Sequence, residues 1–242
     1  MTTLLLCIDG TGELSDQQYQ VDFRHSFVHY IFTHSQAGEK HYSRGPAATL
    51  ADAYLGSDTL PLVSEGYSFV SLAYSEGDRV LLTGYSRGAA AVVAVAERLG
   101  PRQIPVAGLV LFDCVDRCPL IDTMSIPRNV EEVVHVSRDP RTQSRESFSN
   151  SGLLGSPPTI YNGERIRHEG DEGRQRRFFG THGAMGGVFW RTPFGDNSHS
   201  PDVYVDEGFP DYETRVTFAR DLECSREIWG AVYPDLCRLG FL

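Results

Sequence analysis

Short apolar runs alternate with helical or turn-rich stretches along most of the chain. Runs that are rich in Val, Leu, Ile and Phe and have the length of a β-strand occupy residues 4–9, 79–84, 108–113, 133–137 and 177–180. Helix-like stretches occupy residues 18–34, 47–55, 66–76, 89–99 and 213–232. Apolar strands that alternate with helices are typical of a mostly parallel sheet with helices on both faces. The pattern predicts an α/β fold, and a length of 242 residues fits a single domain over residues 1–242.

Residues 140–175 interrupt this alternation. Ser, Gly, Pro, Arg and Asn dominate the segment, and the apolar spacing is lost. Such a composition is typical of a long loop, and long loops in compact domains often cover a functional site. We therefore expect a loop or lid here.

The charge and hydropathy of the chain exclude several classes of function. A formal net charge of -10 disfavours nucleic acid binding, which depends on clustered Lys and Arg. No apolar run approaches the ~18–20 residues that a membrane-spanning helix needs. The first residues lack the basic region of a signal peptide, so we expect no signal peptide and a cytoplasmic location, unless a specialised system delivers the protein.

The cysteine content argues against a disulfide framework and against a zinc site. The chain has five cysteines, an odd number, and they are widely spread. Cys114 and Cys118 lie four positions apart, but no second pair completes the spacing of a zinc site. We predict reduced thiols and no metal.

The segment from Gly84 to Gly88 carries the strongest chemical signal. It reads Gly-Tyr-Ser-Arg-Gly, with a buried strand predicted before it and a helix of small residues after it. A Gly-x-Ser-x-Gly sequence between a strand and a helix is typical of a nucleophilic serine on a sharp turn. Ser86 is thus the predicted nucleophile, and the backbone N–H of Arg87, at the start of the helix, is a predicted oxyanion donor.

A serine needs a general base, and the base needs a carboxylate that orients it. Four histidines follow Ser86 in the chain: His135, His168, His182 and His199. His182 follows the last predicted strand directly, which is where this fold carries its base, so we favour it and keep His199 as the alternative.

Two aspartates end predicted strands after the nucleophile. Asp113 closes the strand that follows the nucleophile's helix, and Asp139 closes the next strand. The later strand is the usual placement, so we favour Asp139 and keep Asp113 as the second candidate.

The turn after the first strand, Asp9-Gly10-Thr11-Gly12, is a candidate for the second oxyanion donor. Gly10 and Thr11 are the residues concerned. The same turn is compatible with an aspartyl-phosphate phosphatase, whose nucleophilic aspartate lies two residues before Asp9. Cys7 occupies that position, so the chain lacks the nucleophilic carboxylate that such a phosphatase requires.

Several motifs occur together in an order that resembles a known family, the α/β-hydrolase domains that include phospholipase effectors of the bacterial type VI secretion system. The segments that carry the resemblance are 9–13, 42–46, 84–89, 112–115, 135–140 and 180–187. Only the serine motif is specific by itself, but the order is preserved from residue 4 to residue 187.

The resemblance implies a single α/β-hydrolase-like domain, with a mostly parallel sheet flanked by helices, and an esterase or lipase that needs no cofactor. It also implies a lipid or small ester substrate, and a secretion-system component or a cognate inhibitor as partner. The chain departs from the family at Ala184, where the family carries an aspartate two residues after the histidine. This departure keeps open a second hypothesis, a catalytically silent hydrolase fold that acts as a binding or assembly module.

Overall fold

A computed structural model describes residues 1–46, 58–121, 123, 126–145, 175–188, 201–207 and 213–242. The strands are β1 (Thr3–Ile8), β2 (Glu39–Ser43), β3 (Arg79–Tyr85), β4 (Gly108–Phe112), β5 (Val133–Arg138), β6 (Gln175–Phe178), β7 (Tyr204–Asp206) and β8 (Glu213–Thr217). The helices are α1 (Asp16–Phe23), α2 (Phe27–His34), α3 (Thr59–Ala73), α4 (Arg87–Leu99), α5 (His182–Gly186) and α6 (Phe218–Leu239).

Six strands form one sheet in the order β2-β1-β3-β4-β5-β6, and every neighbouring pair is parallel. One face packs against α3 and α4, through a core that includes Val63, Val70 and Val92. The other face packs against α1, α2, α5 and α6, through a core that includes Phe27 and Ile228. The predicted α/β fold with helices on both faces of a mostly parallel sheet is confirmed.

Several element boundaries differ from the sequence prediction. The predicted helix 18–34 is two helices, because Ser26 interrupts it and caps α2 by accepting from the Val28 and His29 N–H groups. The predicted strand 177–180 lies two residues earlier, as β6. The strand β2 was not predicted, since Glu39–Ser43 is polar and lies at the edge of the sheet.

The start of the predicted helix 213–232 is the strand β8, which pairs with β7 in a separate two-stranded sheet. Thr214 and Val216 are buried while their neighbours Glu213 and Arg215 are exposed. This alternation and the β-branched side chains favour a strand over the first helical turn.

The connections of the sheet reverse direction next to β1. The chain leaves β1 towards β2 on one side and then crosses to β3 on the other side. The carboxyl ends of β1 and β3 therefore flank a topological switch point, the usual ligand-binding position in open α/β sheets. The loop that starts at Asp9 and the turn at Ser86 follow these two strand ends.

Candidate active site

Ser86 lies in a strained turn between β3 and α4. Its backbone has φ 55° and ψ -125°, a conformation that residues with a side chain rarely adopt. The turn is held on both sides, because the Ser86 N–H donates to the Phe112 carbonyl at 3.0 Å and the Ser86 carbonyl accepts from the Val115 N–H at 3.1 Å. This turn places Ser86 directly after the carboxyl end of β3.

Gly88 makes this turn possible through a close backbone approach. A Cβ on Gly88 would collide with the carbonyl oxygens of Ile8 and Asp9, at the end of β1. A Cβ on Gly84 would come within 2.5 Å of the Gly88 carbonyl oxygen. Both glycines of the motif are therefore required sterically.

His182 is the first residue of α5, and its ring faces Ser86. The His182 Nε2 atom lies 2.8 Å from Ser86 Oγ. The ring stacks on Tyr85, with centroids 4.9 Å apart, and the Tyr85 hydroxyl donates to the His182 carbonyl at 3.0 Å. Tyr85 therefore holds His182 from two directions.

The carboxylate that contacts His182 belongs to Asp113. Asp113 Oδ2 lies 2.7 Å from His182 Nδ1, and the residue is fully buried just after β4. Ser86, His182 and Asp113 therefore form a continuous chain of hydrogen bonds.

The sequence preference for Asp139 over Asp113 needs correction. The Asp139 carboxylate accepts from the Arg141 N–H at 2.9 Å and pairs with the Arg141 guanidinium. It caps the short turn Pro140–Thr142. The register explains the outcome, since β4 is the neighbour of β3 and Phe112 pairs with Tyr85, whereas β5 is one strand further away.

Burial and charge set the protonation states of the pair. Burial opposes ionisation of Asp113, but Arg138 and the contact with His182 hold its pKa below the ordinary value. Burial lowers the pKa of His182, partly offset by Asp113. These directions favour an ionised Asp113 and a neutral His182, the states that a carboxylate and a general base need.

The loop after β1 is anchored by the buried carboxylate of Asp9. Asp9 accepts from the Ser26 hydroxyl at 2.6 Å, from the Tyr42 hydroxyl at 3.1 Å and from the Gly10 N–H at 3.0 Å. The last contact engages the Gly10 N–H and argues against Gly10 as the oxyanion donor. Thr11 is in contact with the turn at Ser86, because the Arg87 Nε–H donates to Thr11 Oγ1 at 2.6 Å.

Asp9 should make the stability of the protein depend on pH. Burial raises its pKa to about 7, although hydrogen bonds from Ser26, Gly10 and Tyr42 act in the opposite direction. A carboxyl with a raised folded pKa stabilises the fold at low pH, and this contribution is lost as the pH rises through the folded pKa. In the wild type, the free energy of unfolding should therefore fall between pH 5 and pH 8. In Asp9→Asn we expect this fall to be smaller than in the wild type by on the order of 3 kcal/mol.

Urea unfolding at the two pH values measures this effect. The exposed Asp202→Asn is the control and should keep the wild-type difference. Part of the pH dependence should survive in Asp9→Asn, since burial also raises the pKa of Glu207 to about 7. An unchanged difference in Asp9→Asn would contradict the prediction.

A second set of contacts, which the sequence did not indicate, holds the backbone around His182. The His182 N–H donates to Ser144 Oγ at 2.7 Å, and the Ser144 hydroxyl donates to Glu207 at 2.7 Å. The Asp221 carboxylate accepts from both the N–H and the hydroxyl of Thr181, each at 2.7 Å. No motif links these residues, because they lie in separate segments that only the fold brings together.

The remaining sequence predictions concern other histidines, the lid, the cysteines and bound metal. His135 lies inside β5 and is buried. His168, His199 and residues 146–174 of the predicted lid lie outside the described residues. Cys7, Cys114, Cys118, Cys224 and Cys237 are all free thiols. Within the described ranges, no cluster of His, Cys, Asp and Glu could hold a metal ion, and no helix is long and apolar enough to cross a membrane.

The part of the chain that contains β1, β2 and β3 matches a known protein family. Residues 2–102 match the family model for the catalytic domain of Tle1-like phospholipase effectors of the type VI secretion system. The chain is similar to these phospholipase domains. The match covers β1, the loop at Asp9, the turn at Ser86 and α4. It confirms the resemblance that the motifs indicated.

Two solved structures are similar to the chain at low sequence identity. An uncharacterized protein from Pseudomonas aeruginosa has 13% identity and a TM-score of 0.47, and the alignment covers 78% of this chain and 42% of that protein. A cutinase-like protein from Cryptococcus sp. has 17% identity and a TM-score of 0.39, with 99% of this chain and 95% of that protein covered. The chain thus spans less than half the length of the Pseudomonas protein. No curated protein sequence matches the chain significantly.

Proposed function

We propose that the protein is a serine hydrolase that cleaves carboxylic esters, with lipid esters as its substrates. The observation that carries the proposal is the chain of hydrogen bonds from Ser86 Oγ to His182 Nε2 and from His182 Nδ1 to Asp113 Oδ2. A serine is a weak nucleophile until a positioned base removes its proton. The three residues supply the nucleophile, the base and the carboxylate that such a reaction requires.

The first half of the proposed reaction forms an acyl-enzyme. Ser86 Oγ attacks the ester carbonyl carbon while His182 Nε2 takes the hydroxyl proton. The carbonyl oxygen becomes an oxyanion, which accepts hydrogen bonds from the backbone N–H groups of Arg87 and Thr11. When the intermediate collapses, the bond to the alcohol breaks and His182 returns its proton to the leaving oxygen.

The second half releases the acid. A water molecule attacks the acyl carbon and gives its proton to His182 Nε2, and the bond to Ser86 Oγ then breaks. His182 protonates Ser86 Oγ, which restores the free enzyme. Asp113 keeps the His182 Nδ1–H in place throughout and stabilises the imidazolium that forms in each half.

The family match supports lipids as the substrate class, because the matched domain belongs to phospholipase effectors. By the same match, we propose delivery by a type VI secretion system. The alternative of a silent binding module was motivated by Ala184 and by the short lid. The contact between Asp113 and His182 supports the hydrolase over this alternative, since a carboxylate reaches the histidine from the end of β4.

A fluorophosphonate probe tests the proposal directly, because it phosphonylates only a serine activated by its base. We expect the wild type to be labelled and Ser86→Ala to stay unlabelled. Ser68→Ala, an exposed serine on α3, is the matched control and should label like the wild type. Phospholipid and short-chain ester assays then compare the substrate classes. Absence of labelling in folded wild-type protein would refute the proposed function.

A further inference from the structure

A buried arginine contacts both the acid and the base of the candidate site. The Arg138 side chain is 1% exposed, and its Nη1 atom donates to Asp113 Oδ2, the oxygen that also contacts His182. The same Nη1 atom lies 3.1 Å from His182 Nδ1. The Arg138 backbone N–H donates to Asp113 Oδ1 at 3.4 Å, and Nη2 donates to the Arg145 carbonyl at 3.4 Å. Arg138 therefore holds both oxygens of Asp113.

The distances decide which hydrogen bonds form around His182 Nδ1. At 2.7 Å from a carboxylate oxygen, Nδ1 must carry a proton, because two acceptors would repel each other. A protonated Nδ1 has no lone pair for Arg138, so the Nη1–H points to Asp113. The 3.1 Å approach is then a contact between a cation and an imidazole N–H. Such a contact opposes a second positive charge on the imidazole.

Other groups around His182 are distributed on several elements. Asp113 follows β4, Arg145 follows β5, Tyr85 ends β3, and Glu207 reaches His182 through Ser144. Asp113 favours the protonated histidine, whereas burial, Arg138 and Arg145 lower the pKa of His182. Arg138 is the cation in direct contact with both members of the pair.

We propose that Arg138 is a positioning residue that orients Asp113 and keeps His182 unprotonated, and so active as a base, into mildly acidic conditions. This inference rests on the proposed function, since it concerns the base of that reaction. Its signature is a change in pH profile that depends on the positive charge at position 138.

The first experiment measures the second-order rate of fluorophosphonate labelling against pH. In Arg138→Met we expect the acidic limb of the profile to move up by about one pH unit, because the Asp113 and His182 pair then retains its shared proton to higher pH. Arg138→Lys keeps a cation and should restore most of the wild-type profile. Arg141→Met removes an exposed arginine nearby and should leave the profile unchanged.

The second experiment uses Asp113→Ala, whose side chain cannot donate to His182 Nδ1, and it protects the inference against a poorly folded Arg138→Met. Without the carboxylate, the Arg138 guanidinium can donate to His182 Nδ1 and so impose the tautomer whose Nε2 carries the proton. That tautomer cannot take the proton of Ser86. We expect Asp113→Ala/Arg138→Met, which removes both charges, to label about tenfold faster than Asp113→Ala at neutral pH.

The outcomes separate the inference from the proposed function. Unlabelled folded wild type would refute the proposed function. A labelled wild type with equal acidic limbs in Arg138→Met and Arg138→Lys would overturn only the inference. If Arg138→Met does not fold, the double variant decides, and a rate no faster than that of Asp113→Ala would overturn it.

Discussion

Replacement of Ser86 by alanine is expected to lower kcat for ester hydrolysis by about 10⁵-fold, and His182→Ala should do the same. The two effects should not add, because the nucleophile and its base act as one unit at a distance of 2.8 Å. The double variant Ser86→Ala/His182→Ala should therefore be no slower than either single variant. Steady-state hydrolysis of a chromogenic ester measures all three.

Matched controls exclude general damage to the fold. His34→Ala removes an exposed histidine on α2 and should keep wild-type kcat. The thermal unfolding midpoints of Ser86→Ala and His182→Ala should stay close to that of the wild type, because neither the Ser86 nor the His182 side chain fills a large part of the core. If His182→Ala keeps more than about a hundredth of wild-type kcat, another residue is the base, since general base catalysis supplies at least that factor.

Asp113→Asn is expected to lower kcat by about 10⁴-fold, with little change in KM. An asparagine in this position can donate to His182 Nδ1 and so favour the tautomer that cannot accept the proton of Ser86. Asp139→Asn is the decisive comparison, because Asp139 was the preferred candidate from the sequence. Its carboxylate pairs with Arg141, so we expect kcat within about twofold of the wild type.

The opposite ranking of Asp113→Asn and Asp139→Asn would contradict this prediction. A large loss of kcat in Asp139→Asn with near-normal activity in Asp113→Asn would mean that the contact between Asp113 and His182 is not the one used in catalysis. Far-ultraviolet circular dichroism should accompany the kinetics, because Asp113 also compensates the buried charge of Arg138. Loss of one partner from such a buried pair costs about 3–5 kcal/mol.

The parallel sheet was predictable from the chain because its signal is local. The runs that became β1, β3, β4 and β5 contain consecutive apolar residues and are buried at nearly every position, as expected of strands that are covered on both faces. The polar edge strand β2 carried no such signal. The boundary of β8 was missed because Glu213–Thr217 runs into α6 without a break in composition.

The turn at Ser86 could be predicted for the same reason, since the strand, the glycines and the small-residue helix that shape it are contiguous in sequence. His182 followed from the order of elements along the chain. The choice between Asp113 and Asp139 depended on which strand lies beside β3, and the placement of Arg138, Glu207 and Asp221 around the site depended on segments distant in sequence. Hydrogen bonds of this kind act over about 3 Å, so only the tertiary structure determines which carboxylate meets the histidine.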